Sequence, residues 1–327
     1  MESHRELVLL EPATEGGSSK TALAFLKASL HTSWSRSIDT VEPSILEREL
    51  ETFRTIYPAR ELTSGATVWR YRLTPATGPV ALMLHGGGGS ADSLFRYAAT
   101  LSPHLQLLLP SLPASVATVD EALAGIRAVI AHSGTTPSNY VGFSMGGMLE
   151  QVMLREDPHG IRSLTLFHCP PPGAAFADAL ERRSVLMHLL PALLAPLVRL
   201  RVQRELAASG LDGDELTFWA DYYSSPEVLA RTRGHQAIVL DYLRNCSFAP
   251  DQLDGWGGRV QIFETATDKV IPGTERARLR QLYPNATVTT FENGGHLGNG
   301  ITRWREVSDR IAAICRHPSG ANIATTR

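Results

Sequence analysis

NYVGFSMGGMLEQVMLRE, residues 139–156, contains the pattern Gly-x-Ser-x-Gly at the point where an apolar run gives way to a helical one. The first five residues have the apolar composition of a buried strand, and the last twelve place apolar residues at helical intervals. Ser144 is therefore predicted on a sharp strand-to-helix turn, where Gly142 and Gly146 avoid collisions with the neighbouring strand and helix. The positive end of the helix behind the serine favours a developing oxyanion, so the pattern predicts a nucleophile.

A second glycine-rich segment, His85-Gly-Gly-Gly-Gly89, follows directly after the apolar run Val80–Leu84. Consecutive glycines allow positive φ and bring backbone N–H groups close to a ligand, as an oxyanion hole requires. The same segment also fits the glycine fingerprint of dinucleotide-binding folds, which needs an acidic residue about twenty positions later. Because residues 93–119 contain no Asp or Glu, the sequence favours an oxyanion hole over a nucleotide site.

Two polar residues follow apolar runs in the C-terminal part of the chain. Asp268 comes after the predicted strand Arg259–Phe263, and His296 comes after the predicted strand Thr287–Phe291 on a Gly-Gly loop. Parallel-sheet proteins keep their sites at the carboxyl ends of the strands, so these side chains are expected near one another. A serine hydroxyl needs a histidine to accept its proton and a carboxylate to fix the tautomer of that histidine. With Ser144 first in chain order, the three residues predict a Ser-His-Asp triad.

From about residue 66 onward, short apolar runs alternate with amphipathic stretches. This alternation predicts an α/β fold with a doubly wound, mostly parallel sheet flanked by helices. It stops between residues 172 and 252, where we expect an all-helical insertion. Ser44 and Glu47 have the spacing of a capping box and predict the start of a helix before the sheet. The predicted parts are a helical extension over residues 1–62 that includes a helix at Thr21–Leu30, the core over 63–171 and 253–316, the insertion over 172–252 and a disordered tail over 317–327.

Together these motifs resemble those of α/β-hydrolases of the serine-hydrolase type over about residues 65–316. The resemblance implies that Ser144 is the nucleophile, His296 the general base and Asp268 the acid that orients the histidine. It also implies that the helical insertion forms a cap over the site and that no cofactor or metal is required. The oxyanion hole implied by the resemblance consists of backbone N–H groups of Met145 and of Gly86 or Gly87.

Two groups within that family share further features with this chain. The glycine loop and the turn around the serine resemble those of meta-cleavage-product hydrolases, which cleave carbon–carbon bonds. The turn Leu282-Tyr-Pro-Asn-Ala286 resembles that of maspardin-like proteins. Two residues depart from the family's pattern: Thr265 stands where a glycine usually follows the acid-bearing strand, and Leu297 stands where carbon–carbon hydrolases carry an aromatic residue. We therefore expect a different course for the loop after Thr265, and Leu297 argues against carbon–carbon cleavage.

Composition excludes several classes of protein. The 327 residues are 43% hydrophobic, which suffices for a sizeable core, and the formal net charge is −2. No block of Lys and Arg stands out, which argues against a nucleic-acid partner. Three widely spaced cysteines exclude a disulfide framework and a zinc ribbon, and the histidines lack metal-ligand spacing.

We expect a cytoplasmic protein without a transmembrane segment. The N-terminal residues MESHRELVLLEPATEGG lack the basic region followed by an apolar region that a signal peptide needs. The longest apolar run, Val185–Val198, has 14 residues and two prolines, which is too short to span a bilayer.

The function predicted from these features is hydrolysis of a carboxylic ester through an acyl-enzyme on Ser144. A small-to-medium apolar acid is the expected acyl group, because the insertion is rich in apolar residues and no basic cluster indicates an anionic substrate. Carbon–carbon cleavage, lactone opening and acyl transfer remain alternatives on the same triad, and a maspardin-like, non-catalytic scaffold is an alternative of another class. The candidate substrate contacts are His85, Phe143, Leu190, Trp219 and Tyr222. The insertion's leucines, from Leu186 to Leu197, either line an acyl pocket or form a partner surface, so a homo-oligomer through the insertion or the N-terminal extension stays open.

Overall fold

A computed structural model describes residues 42–76, 78–184 and 191–316 of the chain. The predicted helix at Thr21–Leu30 and the predicted tail from His317 lie outside these residues, as does Leu190. Those three predictions therefore stay predictions.

Eight strands in the described part of the chain form one sheet. They are β1 (Arg60–Ser64), β2 (Thr67–Leu73), β3 (Val80–Leu84), β4 (Gln106–Ser111), β5 (Asn139–Phe143), β6 (Ser163–Phe167), β7 (Arg259–Thr265) and β8 (Thr287–Phe291). The order across the sheet is β1-β2-β4-β3-β5-β6-β7-β8. Pairs from β4 to β8 are parallel, and only β2 with its two neighbours pairs antiparallel. The predicted, mostly parallel sheet is confirmed.

Helices cover both faces of the sheet. They are α1 (Ile45–Ile56), α2 (Phe95–Leu101), α3 (Val119–Ser133), α4 (Met145–Glu156), α5 (Ala174–Ser184), α6 (Pro191–Ala208), α7 (Gly213–Ser224), α8 (Pro226–Asn245), α9 (Gly273–Leu282), α10 (Gly298–Thr302) and α11 (Trp304–Arg316), with 3-10 turns at Ala91–Leu94 and Pro250–Leu253. One apolar core joins the sheet to α3, α4 and α8, and another joins it to α1, α2 and α11. This layering fixes the carboxyl ends of the central strands at one edge, where loops can meet.

Strand β1 was not predicted from the sequence. Its five residues, Arg-Glu-Leu-Thr-Ser, lie at the edge of the sheet and none of them is buried. It pairs antiparallel with β2 through a tight turn in which Gly65 has φ +60°. An edge strand without a buried face leaves no apolar alternation in the sequence. The strand crosses residue 62, where the helical extension was predicted to end.

Helix α1 begins with the predicted capping box. The Ser44 side chain accepts a hydrogen bond from the Glu47 backbone N–H, and the Glu47 carboxylate accepts one from the Ser44 backbone N–H. Leu46, Leu50 and Phe53 are buried on one face of this amphipathic helix and join the core formed with α2 and α11. The capping box is thus confirmed, and the helix is part of the hydrophobic core.

Helices α5 to α8 lie between β6 and β7, where the helical insertion was predicted. Leu197 on α6 is 63% exposed, so this leucine faces solvent. Trp219 on the next helix is buried against Phe95 of the core, with the two rings stacked at 5.8 Å between centroids. An ion pair of 2.7 Å between Arg96 and Glu215 also joins α2 to α7. The insertion is therefore packed onto the core through α7.

Candidate active site

Ser144 stands between β5 and α4 with a backbone that L-residues rarely adopt, at φ 48° and ψ −114°. The turn is tight because the strand and the helix approach each other closely. A Cβ at Gly142 would lie 2.3 Å from the Gly147 Cα, and a Cβ at Gly146 would lie 2.4 Å from the Leu84 carbonyl oxygen. Only glycine fits at these two positions. This geometry holds the serine hydroxyl away from its own helix, at the carboxyl edge of the sheet.

The structure brings Ser144, Asp268 and His296 together, in the arrangement that the sequence predicts. The His296 Nε2 lies 3.1 Å from the Ser144 Oγ, and the His296 Nδ1 lies 2.8 Å from the Asp268 Oδ2. The other carboxylate oxygen of Asp268 accepts hydrogen bonds from the backbone N–H groups of Val270 and Ile271, at 2.7 and 3.0 Å. The carboxylate is therefore fixed, and with the proton on Nδ1 the histidine presents a lone pair to the serine.

Charge in this group follows from burial and pairing. Burial by itself would raise the pKa of Asp268, but the charge and the hydrogen bond of His296 outweigh it and lower the pKa to about 2. Burial by itself would lower the pKa of His296, but Asp268, and after it Glu205, raise this pKa above the ordinary value of 6.5. Asp268 is thus ionised at any working pH, and His296 is a stronger base than a free histidine.

The three backbone groups predicted for an oxyanion hole surround the serine. Gly86 is adjacent to it, because a Cβ at Gly86 would lie 3.4 Å from the Ser144 Cβ. Gly87 lines the cavities on both sides of the serine. Met145 is the first residue of α4, and its N–H has no partner within the helix. Their N–H groups are candidates to bind a negatively charged oxygen formed at the serine.

His85 was predicted to contact the substrate, but its side chain lines neither of the two cavities that meet at Ser144. His85 is fully buried, and its ring lies behind the glycine loop rather than in a cavity. The His85 Nε2 accepts from the Leu112 N–H at 3.0 Å, so the Nδ1 carries the proton and donates to the Gly86 carbonyl at 2.8 Å. Burial lowers the pKa of His85 to about 3, which keeps the ring neutral. His85 supports the loop.

A second buried histidine, His235 of α8, holds the same loop from the side of the insertion. Its Nδ1 accepts from the Gly88 N–H at 3.0 Å, so its Nε2 donates to the Leu112 carbonyl, also at 3.0 Å. The Arg231 Nε donates to the Gly88 carbonyl at 3.0 Å. Gly88 has φ +78°, and a Cβ there would lie 2.2 Å from the Thr232 hydroxyl. Sequence reasoning missed these contacts, because His235 looks like an ordinary helical residue.

A cavity of about 190 Å³ opens beside Ser144 and is lined mainly by apolar and aromatic side chains. Phe143 and Trp219, two of the residues that the sequence predicts as substrate contacts, line this cavity. Tyr223, Phe167 and Leu297 complete its apolar wall. Tyr222, which was also predicted as a contact, does not line this cavity and packs edge-on against Trp219 at 5.7 Å between ring centroids. Of the aromatic residues of α7, Trp219 and Tyr223 therefore line the cavity, and Tyr222 packs behind Trp219.

A second cavity of about 300 Å³ meets the first at Ser144 and Gly87. Its wall combines the apolar side chains of Met148, Phe176, Leu180, Val239, Val270 and Ile271 with the cationic side chains of Arg201 and Lys269. No pattern in the sequence indicates that these two cations converge, because they come from α6 and from the loop after β7. Ser144 thus stands where two mainly apolar cavities meet, and each has cationic side chains at its wall, Arg96 in the first and Arg201 and Lys269 in the second.

His168, which sequence reasoning treated as an ordinary histidine, lies directly behind the histidine loop. Burial lowers its pKa to about 3, so the ring is neutral. Asn299 donates from its amide to the Thr265 hydroxyl at 2.7 Å, and this hydroxyl is 2.7 Å from the His168 Nε2. The His168 Nδ1 is 2.5 Å from the His296 carbonyl oxygen, which can only accept. All donors in this series therefore point the same way. The Asn299 amide donates to the Thr265 hydroxyl, the hydroxyl donates to the His168 Nε2, and the protonated His168 Nδ1 donates to the His296 carbonyl.

This chain of hydrogen bonds explains one departure from the family's pattern. Thr265 ends β7 and is fully buried, and its hydroxyl links two polar side chains.

The hydrogen bonds of this region also bear on metal binding. His168, Asp268 and His296 place potential ligand atoms within 4.8 Å of one another. The His296 Nδ1 and both nitrogens of His168 already hydrogen-bond within the protein. Hydrogen bonding therefore accounts for the cluster.

Comparison with known proteins places the chain in a family. A family model described as the alpha/beta hydrolase fold matches residues 79–300. The chain belongs to the α/β-hydrolase fold family. No curated protein matches this family member at a significant level of sequence similarity. Among the described helices, none has the length and apolar composition to cross a membrane.

Solved structures of several hydrolases have the same fold. A putative lipase from Acinetobacter baumannii AYE is 18% identical at a TM-score of 0.64, over 85% of this chain and 97% of that chain. An esterase from Thermogutta terrifontis is 17% identical at a TM-score of 0.61, and the match covers 78% of this chain and 97% of the esterase. A 2-hydroxy-6-oxo-6-phenylhexa-2,4-dienoate hydrolase from Rhodococcus sp. strain RHA1 is 18% identical at a TM-score of 0.61, and the match covers 80% of this chain and 99% of that hydrolase. At this identity the likeness concerns the fold.

Proposed function

We propose that this α/β-hydrolase cleaves carboxylic esters through an acyl-enzyme on Ser144. The observation that carries the proposal is the unbroken hydrogen-bonded series from Ser144 through His296 to Asp268, at 3.1 and 2.8 Å. The serine stands where two cavities meet, so an ester bond placed there would have one part in each compartment. The lipase and esterase among the similar structures are consistent with this chemistry.

In the first half-reaction, the Ser144 Oγ attacks the ester carbonyl carbon while its proton passes to the His296 Nε2. The carbonyl oxygen becomes negative and accepts hydrogen bonds from backbone N–H groups among Gly86, Gly87 and Met145. Asp268 stabilises the protonated imidazole. The bond to the alkoxy group then breaks, and the proton on the histidine goes to the departing alcohol.

In the second half-reaction, a water molecule replaces the alcohol next to His296. The histidine takes a proton from this water as its oxygen attacks the acyl carbon. The same N–H groups bind the second oxyanion, and its collapse breaks the bond to Ser144. The serine recovers its proton from the histidine and the carboxylic acid leaves, so the enzyme returns to its initial state.

We assign the acyl group to the smaller cavity. Its walls include Phe143, Phe167, Trp219 and Tyr223, which offer apolar surface at the level of the serine. A volume of about 190 Å³ suits a short acyl chain. The larger cavity would then receive the alcohol, with Arg201 and Lys269 at its wall. The substrate class is an ester of a small-to-medium apolar acid, and the alcohol part can carry polar groups.

A panel of esters, thioesters, lactones, amides and a vinylogous carbon–carbon substrate tests the proposal against its alternatives. Wild-type protein should hydrolyse at least one ester, and Ser144→Ala should not. A fluorophosphonate should form an adduct that peptide mass spectrometry places on Ser144. Turnover that survives Ser144→Ala would contradict the proposed nucleophile. No turnover of any substrate together with no adduct would favour the non-catalytic scaffold.

A further inference from the structure

The peptide unit of His296 is held from two sides. Its carbonyl oxygen accepts from His168 of the core at 2.5 Å, and its N–H donates to the Glu205 Oε1 of helix α6 at 2.6 Å. The same Oε1 also accepts from the Leu297 N–H at 2.8 Å. One carboxylate oxygen from the helical insertion therefore binds two consecutive backbone N–H groups, 91 and 92 residues away in sequence.

The loop has little stiffness of its own at this point. Gly294 and Gly295 precede the histidine and have φ of +117° and +59°. Glycine has the widest choice of backbone conformations, so two in succession do not fix the position of the next residue. A second contact comes from the residue that follows α6, since the Ser209 hydroxyl donates to the Gly294 carbonyl oxygen at 3.2 Å. Contacts from outside the loop must therefore determine where the imidazole lies.

We propose that Glu205 is a positioning residue, which holds His296 in register with Ser144 and Asp268 by binding the two N–H groups of the histidine loop. The proposal rests on the proposed function, because it concerns the base of that reaction. Glu205 touches no reacting atom. Its consequence is that the histidine is correctly placed only when helix α6 of the insertion is packed against the loop.

The charge of Glu205 has a second effect on the histidine. The charged and titratable groups around the histidine and Glu205 are Asp268, His168, Arg201 and Tyr223. Asp268 and Glu205 raise the pKa of His296, and Arg201 acts against them. Burial keeps His168 neutral with its pKa lowered to about 3. During serine attack the imidazole becomes positive, so a nearby carboxylate stabilises this state.

Four variants separate positioning from charge. Glu205→Gln keeps an oxygen that can accept both N–H groups but removes the charge, and Glu205→Ala removes both. Glu205→Asp keeps the charge on a shorter side chain. Asp221→Asn is the control, because Asp221 is a carboxylate of the insertion that pairs with Arg199 on the surface. Each protein is measured for kcat and KM, for melting temperature, and for the pKa of the His296 ring by NMR of ¹⁵N-labelled histidine.

We expect Glu205→Ala to lower kcat by about 10- to 100-fold with little change in KM, because an error of about 1 Å in placing a catalytic group can cost 100-fold. Glu205→Gln should recover most of this loss, and both variants should lower the ring pKa of His296. Glu205→Asp should lower kcat but leave the ring pKa near that of the wild type. Asp221→Asn should match the wild type in kcat and in the ring pKa of His296.

A wild-type kcat in Glu205→Ala would overturn the proposal, as would a glutamine variant as slow as the alanine variant with an unchanged ring pKa. If Glu205→Ala does not fold, the other two variants provide the test. Glu205→Asp should lower kcat and keep the ring pKa, whereas Glu205→Gln should keep most of kcat and lower the ring pKa. The NMR measurement needs no turnover. If wild-type protein hydrolyses nothing, the proposed function fails, and the ring pKa still shows whether Glu205 acts on His296.

Discussion

At the residue scale, the backbone of Ser144 predicts a conflict between stability and activity. Its φ of 48° and ψ of −114° strain any residue with a Cβ by roughly 1–3 kcal/mol. Ser144→Ala and Ser144→Gly both remove the hydroxyl, so both should lower kcat by about 10⁴-fold or more. Only the glycine variant relieves the strain. Its free energy of unfolding should exceed that of the alanine variant by about 1 kcal/mol, after allowance for the flexibility of glycine in the unfolded chain.

Urea unfolding of the two variants beside the wild type measures this difference. The pair is matched, since hydroxyl loss is common to both. A glycine variant no more stable than the alanine variant would show that the turn stores no strain at this residue.

The pH dependence of the reaction follows from the pair of His296 and Asp268. The histidine must be neutral to accept the serine proton, and its pKa is raised above the ordinary 6.5. We therefore expect kcat/KM to rise with pH through an apparent pKa above 6.5 and then to level off. Asp268, with its pKa lowered to about 2, stays ionised throughout. Asp268→Asn should lower kcat by about 10⁴-fold, because the asparagine no longer selects the reactive tautomer.

Initial rates on a slow ester from pH 5 to 9 give the profile. A rate that does not change over this range would contradict a histidine base.

The sequence allowed Ser144, Asp268 and His296 to be predicted as a group because each follows a short run of apolar and β-branched residues that can be recognised as a strand. Glu205 and His235 could not be predicted in the same way. Both lie within helices, where a charged or polar residue normally faces water. Their contacts join positions 91 and 147 residues apart, and no local pattern in the sequence encodes such a distance.

At the element scale, helix α7 provides a matched test of the acyl cavity. Trp219 lines the cavity beside Ser144, whereas its neighbour Phe218 does not line it and packs edge-on against Phe95. Trp219→Ala should weaken binding of longer acyl chains more than of acetyl, by about 0.8 kcal/mol for each methylene group of the acyl chain that the indole would otherwise cover. Phe218→Ala should lower stability without changing the preference for chain length.

Values of kcat/KM for p-nitrophenyl acetate, butyrate, hexanoate and octanoate give that preference. Equal profiles for the two variants would contradict the assignment of the acyl group to this cavity. Light scattering of both variants tests the other interpretation of the insertion, in which its apolar residues bind a second chain. Leu197, 63% exposed, is a residue that such a surface could use.

Strands with buried residues were predicted well, whereas a described strand that has none was missed. Strands β5 and β6 are buried along almost their whole length, and their sequences are short apolar runs. Strand β1 has no buried residue and was missed. The substrate contacts show a similar limit. His85 adjoins the glycine loop in sequence, but the loop turns its backbone, not this side chain, toward the serine.

At the scale of the whole molecule, the core and the insertion contribute different parts of the site. The core supplies the three side chains of the proposed triad and the helix behind the serine. The insertion holds both loops that approach the serine: α8 binds Gly88 through His235 and Arg231, and α6 binds the histidine loop through Glu205. Displacement of the insertion would therefore affect the oxyanion hole and the base together, which links access to the cavity with the ability to react.

Three buried neutral histidines, His85, His168 and His235, should make the whole fold sensitive to mild acid. Burial is the first cause of each shift, and it lowers their pKa values to about 3, 3 and 4. In the unfolded chain these groups take up protons near pH 6.5, while in the native state they do so only near pH 3 to 4. Between these limits the unfolded state binds more protons, so the free energy of unfolding must fall as pH falls. His296 has the opposite sign, because its raised pKa adds stability below pH 6.5 that is lost as pH rises through the folded value.

The expected result is a free energy of unfolding that falls as the pH is lowered from about 6.5 to 5, by up to about 1.4 kcal/mol per pH unit for each of the three histidines. This window lies above the range in which ordinary carboxylates titrate, so the loss reports the histidines. Urea unfolding at several pH values measures it. His235→Gln should make the slope shallower by about one proton, whereas His159→Gln, at a side chain that is 94% exposed, should leave it unchanged. Equal stability at pH 5 and pH 7 would mean that these histidines titrate normally in the native protein, and that the hydrogen bonds assigned to their neutral rings do not hold the glycine loop and the histidine loop.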